Sequence, residues 1–163
     1  MEGSQKLVEQ GYQLLSQGEC KKALSKFEKV IKEDPGNAEA YFGKAEAGML
    51  VPKVTSDDVL AAYKKAIELD PENAYYHSSL GAFCVDEGRF NDAEQAYNKA
   101  ADIDTDNASN YYSEFAVAYY QRAPEVHEQL LDEQGIEIIK RKALQYMLKS
   151  LGMTVEEAKE LLN

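Results

Sequence analysis

The sequence predicts an all-α chain of stacked helix pairs, an α-solenoid, and three observations carry that class. One turn phrase occurs three times, as Asp34-Pro35-Gly36-Asn37-Ala38, Asp70-Pro71-Glu72-Asn73-Ala74 and Asp104-Thr105-Asp106-Asn107-Ala108, at intervals of 36 and 34 residues. Intervals in that range mark repeated supersecondary units, each exposing an apolar face that only its neighbour covers. Between the phrases, apolar residues recur at helical spacing. Alanine, leucine, glutamate and lysine dominate, and only 4 prolines occur, a composition that favours helices.

The first unit spans residues 4–37. Gly11 is the small residue at which two helices touch, Leu7 and Leu14 flank it, and Gly18 ends the first helix in a left-handed cap. Ala23, Phe27 and Val30 line the second helix, and Pro35 stops it. In the second unit, 38–73, Tyr41 and Ala45 take first-helix positions and Tyr63, Ala66 and Pro71 second-helix ones. The stretch Val51-Pro52-Lys53-Val54-Thr55-Ser56-Asp57 lengthens its inner turn, with Ser56 or Asp57 expected to cap the helix that follows. The third unit, 74–107, presents Leu80, Gly81, Gly88, Phe90, Ala93, Tyr97 and Ala100 at the same offsets, with Thr105 in place of the proline. Residues 108–123 then repeat a first helix, a half unit.

A small residue, an alanine, an aromatic and a proline at these offsets resemble the tetratricopeptide repeat. The resemblance implies a right-handed α-α superhelix of about three such units over residues 1–123, acting as a protein-protein interaction module. Residues 124–163 lack the pattern but carry helical stripes: Val126, Leu130 and Leu131, then Ile136, Ile139, Ala143, Met147, Leu148 and Leu151. Thr154 and Glu157 form a capping box for a last helix presenting Val155, Ala158, Leu161 and Leu162. A terminal repeat leaves an apolar end, so this segment is expected to close the array as a cap, or to fold into its groove as a lid.

Charge and composition remove several functions. The net charge of -11 opposes nucleic acid, which needs a basic surface to displace phosphate counterions. Cys20 and Cys84 stand far apart without a ligand pattern, so no zinc site and no redox pair is expected. Neither a leader nor a membrane-length apolar run is seen, which leads to a cytoplasmic expectation. The sequon at Asn107-Ala108-Ser109 is then read as a helix start.

The resemblance places certain first-helix positions on a concave wall. Here these are Val8 and Tyr12, Phe42 and Glu46, Tyr75, Ser79 and Ala82, then Tyr112, Ala116 and Tyr119. Tyrosine joins a rigid apolar face to a polar rim and suits peptide recognition. The family's carboxylate clamp uses lysine, asparagine and arginine, whereas the matching positions here hold Val8, Tyr12, Gly43, Tyr75 and Ser79. With no cation to hold two carboxylates, that chemistry is argued against, and a basic or apolar segment of another protein is the expected ligand.

Other chemistry finds little support. Asp102, Asp104 and Asp106 alternate like a calcium loop, but Asn107 stands where glycine is needed and Ser113 where the bidentate acid belongs. His77 and His127 accompany no nucleophile at a recognisable spacing, no glycine-rich phosphate loop occurs, and no enzyme or cofactor is expected. Lys140-Arg141-Lys142 borders an apolar stripe, which suits a partner helix better than lipid. Self-association through that stripe, giving an architectural scaffold, is the alternative function, alongside a non-catalytic subunit of a larger complex.

Overall fold

A computed structural model describes residues 2–127 and 132–161. The described residues form nine α-helices and one 3-10 turn, without strands. The chain divides into two units, Met1–Tyr76 and His77–Asn163, each considered by itself. The boundary expected from the pattern, between residues 123 and 124, lies inside a helix.

In the first unit, α1 (Glu2–Ser16) and α2 (Cys20–Glu33) form a hairpin, and α3 (Ala38–Met49) and α4 (Ser56–Leu69) a second. Helix α3 packs back onto α2 and α1. Val8, Ala23, Phe27, Val30, Ala40 and Ala47 make the core of the first hairpin and its neighbour. The small-residue contact inferred at Gly11 is present: a Cβ there would come within 2.6 Å of the Phe27 ring. Gly43 of α3 abuts the same ring atoms, so glycines from two helices let one aromatic side chain sit between them.

The repeated phrase works as a hydrogen-bonded turn. The Asp34 amide donates to the Val30 carbonyl at 2.7 Å, and the Asn37 side chain accepts from the Ala40 amide at 2.9 Å, capping α3. Asn73 donates to the Asp70 carboxylate at 3.0 Å, and Asn107 to that of Asp104 at 2.9 Å. The third copy lacks proline, and there the turn tightens into the 3-10 segment Thr105–Asn107. Gly18, Gly88 and Gly152 end helices at φ of 75°, 72° and 68°. Glu19, Arg89 and Met153, the residues after them, donate to the carbonyls of Leu14, Cys84 and Leu148, the Schellman closure that requires a left-handed residue.

One local expectation is corrected. Thr55, one residue before the predicted caps Ser56 and Asp57, caps α4 in a reciprocal box with Asp58. Val51 and Val54 are drawn inward, Val54 lying against Gly48, so the turn is used up before Thr55.

Helix α5 (Ala74–Asp86) contains the division between the units. In the second unit its latter part precedes α6 (Phe90–Ile103), α7 (Ala108–Val126), α8 (Glu133–Ser150) and α9 (Val155–Leu161). Gly81 meets the Tyr97 ring as Gly11 meets Phe27, with a notional Cβ 2.7 Å from it. At the same offset in α7 stands Phe115, fully buried. Its ring lies 5.7 Å from Tyr97, 5.6 Å from Tyr119 and 4.7 Å from Tyr146 of α8. Where Gly11 and Gly81 let helices approach over a small residue, α7 meets α6 and α8 through tilted and edge-on ring contacts of Phe115.

Helix α7 continues through Pro124 to Val126 and pairs along its length with α8. Of the expected α8 stripe, Ile139 and Ala143 are buried, while Ile136, Met147 and Leu151 are exposed. Tyr146 completes the buried face instead. Thr154 and Glu157 form the predicted capping box of α9. Leu130, Leu131 and Leu162 lie outside the described residues.

Candidate partner-binding groove

Successive residues of α3 at helical spacing build the floor of a cavity in the first unit. Glu39, Phe42 and Glu46 share one face of the helix, at i, i+3 and i+7. Tyr12 and Leu15 of α1 form one wall, and Asn73, Tyr75 and Tyr76 at the start of α5 the other. The open cavity has a volume of about 570 Å³.

The rings hold one another in place. Phe42 is stacked on Tyr76 at 4.6 Å, tilted against Tyr75 at 5.3 Å, and set edge-on to Tyr63 at 5.8 Å. Tyr12 meets Phe27 edge-on at 5.1 Å, and its hydroxyl donates to the Glu39 carbonyl at 3.3 Å. Such pairs are anchored by packing, so the wall is pre-formed. Tyr75 is 62% exposed and offers the accessible ring.

Electrostatically the cavity is negative. The α3 lysine, Lys44, turns away to Glu28 of α2 at 3.6 Å. Among the described residues no cation pairs with Glu39 or Glu46; Glu46 accepts a hydrogen bond from the Tyr63 hydroxyl. Burial, then the Glu39 charge, holds the Tyr12 hydroxyl well above its ordinary range. Burial, then Glu39 and Asp70, pushes Tyr76 up to about 12.

Of the predicted wall residues, Tyr12, Phe42, Glu46 and Tyr75 line this cavity together. Val8 does not present a surface: it is fully buried in the first core, its α1 position being covered by α2 and α3. Ser79 is partly buried in α5 and outside the lining. Tyr112, Ala116 and Tyr119 belong to the second unit, where α8 covers them. Ala116 and Tyr119 are buried, the Lys149 ammonium lies 4.0 Å over the Tyr112 ring, and Lys142 lies 5.5 Å over Tyr119. Leu15, Glu39, Asn73 and Tyr76 were missed; Glu39 had a signal, being one turn before Phe42 on the same face.

A smaller cavity of about 300 Å³ lies between α7 and α8, lined by Val117, Tyr120, Lys140, Leu144 and Met147 among others. Each of the four apolar residues named is at least 39% exposed. His77 and Cys84 are buried and Cys20 half-buried. Among the described residues no three His, Cys, Asp or Glu side chains converge as a metal requires, and no helix is long and apolar enough to cross a membrane.

A tetratricopeptide repeat profile matches residues 8–50 and 57–109, more than half of the chain. The chain belongs to the tetratricopeptide repeat family. No curated protein matches it significantly. Solved structures do: MamA is 21% identical over 98% of this chain and 81% of its own, with a TM-score of 0.70. The tetratricopeptide domain of Sgt2 from Aspergillus fumigatus is 19% identical over 79% of this chain and 82% of its own, at 0.65. The first such domain of Spaghetti (RPAP3), bound to the HSP90 peptide SRMEEVD, is 20% identical over 71% and 91%, at 0.62. Identities this low show a shared all-α repeat fold.

Proposed function

We propose that this tetratricopeptide repeat protein binds a segment of another protein in the first-unit cavity, without catalysis and without carboxylate-clamp chemistry. The observation that carries the reading is a pre-formed aromatic cavity in which Glu39 and Glu46 lack cationic partners among the described residues. Such a surface repels an acidic chain end and favours a basic or apolar segment. A relative in fold, the Spaghetti (RPAP3) domain, is bound to a peptide in its structure, which supports the class of ligand and not its sequence. The test is a random-peptide display screen on the intact chain with Tyr75→Ala as counter-screen. Peptides retained by the parent and lost on Tyr75→Ala are expected; enrichment indifferent to that change would move the site elsewhere.

A second reading rests on the exposed Val117, Tyr120, Leu144 and Met147 around the α7–α8 cavity. Paired across two copies they would make a scaffold dimer. Light scattering across a concentration series checks this, with Leu144→Glu expected to abolish any dimer.

A further inference from the structure

We infer that the first-unit cavity is a subsite for an arginine side chain of the bound segment. This deepens the proposed function and rests on it. Three features converge on a cation. Glu39 and Glu46 are separated by two helical turns, about 10 Å along α3, with Phe42 between them. Neither carboxylate meets a lysine or arginine among the described residues, and the α3 lysine is committed to Glu28 on another helix. The rings of Tyr12, Phe42, Tyr75 and Tyr76 line the same cavity, and of these Tyr75 is the exposed one.

A guanidinium answers each feature. Its plane stacks on tyrosine, where the ring quadrupole attracts positive charge. Its divergent N–H groups reach acceptors on two sides, so one group can address both carboxylates. Arginine is also weakly hydrated relative to an ammonium, which lowers the cost of entering an aromatic cavity. A neutral side chain of the same shape would leave the two carboxylates without a cation.

The test titrates the full chain with Nα-acetyl-arginine methylamide, its citrulline counterpart and its lysine counterpart, reading tyrosine ring resonances by NMR. Saturable shifts of Tyr12 and Tyr75 with the arginine probe are expected, with citrulline about tenfold weaker and lysine weaker than arginine. Glu39→Gln with Glu46→Gln keeps the acceptor to Tyr63 and is expected to weaken arginine binding about tenfold and flatten its salt dependence. Citrulline or lysine binding as well as arginine, or a double variant that binds arginine as the parent does, overturns the inference. Display-selected peptides that need Tyr75 but contain no arginine would overturn this subsite while leaving groove binding intact. Peptides indifferent to Tyr75 would remove the groove reading itself.

Discussion

Phe27 shows how much a single position controls. Its ring lies against Gly11 and Gly43, so any Cβ at either must displace a fully buried aromatic side chain. Gly11→Ala is expected to cost roughly 1–3 kcal/mol by overpacking, seen as a lower urea midpoint with an unchanged m-value. Gly3→Ala, with nothing within 4 Å, is the control. Single carboxylates matter at the turns as well. Hydrogen bonds from the Thr55 hydroxyl and amide hold Asp58 below its ordinary 3.8, those from the Thr154 amide and hydroxyl hold Glu157 below 4.5, and those from Asn107 and Tyr111 hold Asp104 down. Because the folded values are depressed, their stabilisation is complete above the ordinary values and is lost as pH falls through the folded ones. Amide protection factors, corrected for the intrinsic pH dependence of exchange, are expected to fall in the first turns of α4 and α9 as the solution is acidified below these ordinary values, and Asp58→Asn to flatten that response in α4. Gly11 was readable from its spacing to Phe27, whereas the second glycine contact, from Gly43, required knowing where α3 docks.

Helices, taken as elements, differ in how they are held. The α1–α2 and α5–α6 hairpins close over Gly11 and Gly81, but α7 and α8 close over Phe115, with Tyr146 as the second ring. The Tyr146 hydroxyl also donates to Glu94 at 2.8 Å and accepts from Asn98 at 2.9 Å, and Glu94 pairs with Lys142. One residue of α8 thus ties that helix to both α6 and α7. Tyr146→Phe keeps the ring and removes the hydroxyl, leaving a half-buried cluster short of a partner. It is expected to cost about 1–2 kcal/mol and to raise amide exchange in α8 ahead of α6. Legibility at this scale was uneven. Element starts and stops followed from Gly18, Gly88, Gly152 and the Asp-x-x-Asn turns, since capping is local chemistry. The face that α8 buries did not follow, because Ile136, Met147 and Leu151 fit the periodicity as well as Tyr146 does.

The whole molecule responds to alkali through its buried phenols. Burial above all raises Tyr12, Tyr97 and Tyr119, and pushes Tyr76 and Tyr146 up to about 12. A raised folded value means stability that is intact below the ordinary 10.0 and is lost as pH climbs from there through the folded values. Circular dichroism is expected to show cooperative loss of helix in that window, and the phenolate absorbance of these buried tyrosines to rise together with that loss. A net charge of -11 adds self-repulsion that salt relieves. Binding of a basic segment is expected to weaken as salt is raised, measured by fluorescence anisotropy.

The repeat family, the unit lengths, the helix ends at Gly18, Gly88 and Gly152 and the Gly11 and Gly81 contacts were determined by sequence alone, because each depends on residues close along the chain or at a fixed period. Tertiary structure alone decided which aromatic positions remain available. Val8 and Tyr119 carry the same periodic signature as Tyr12 and Tyr75, yet neighbouring helices cover the first pair and leave the second lining a cavity. Periodicity names a face of a helix; only packing determines whether another helix already occupies it.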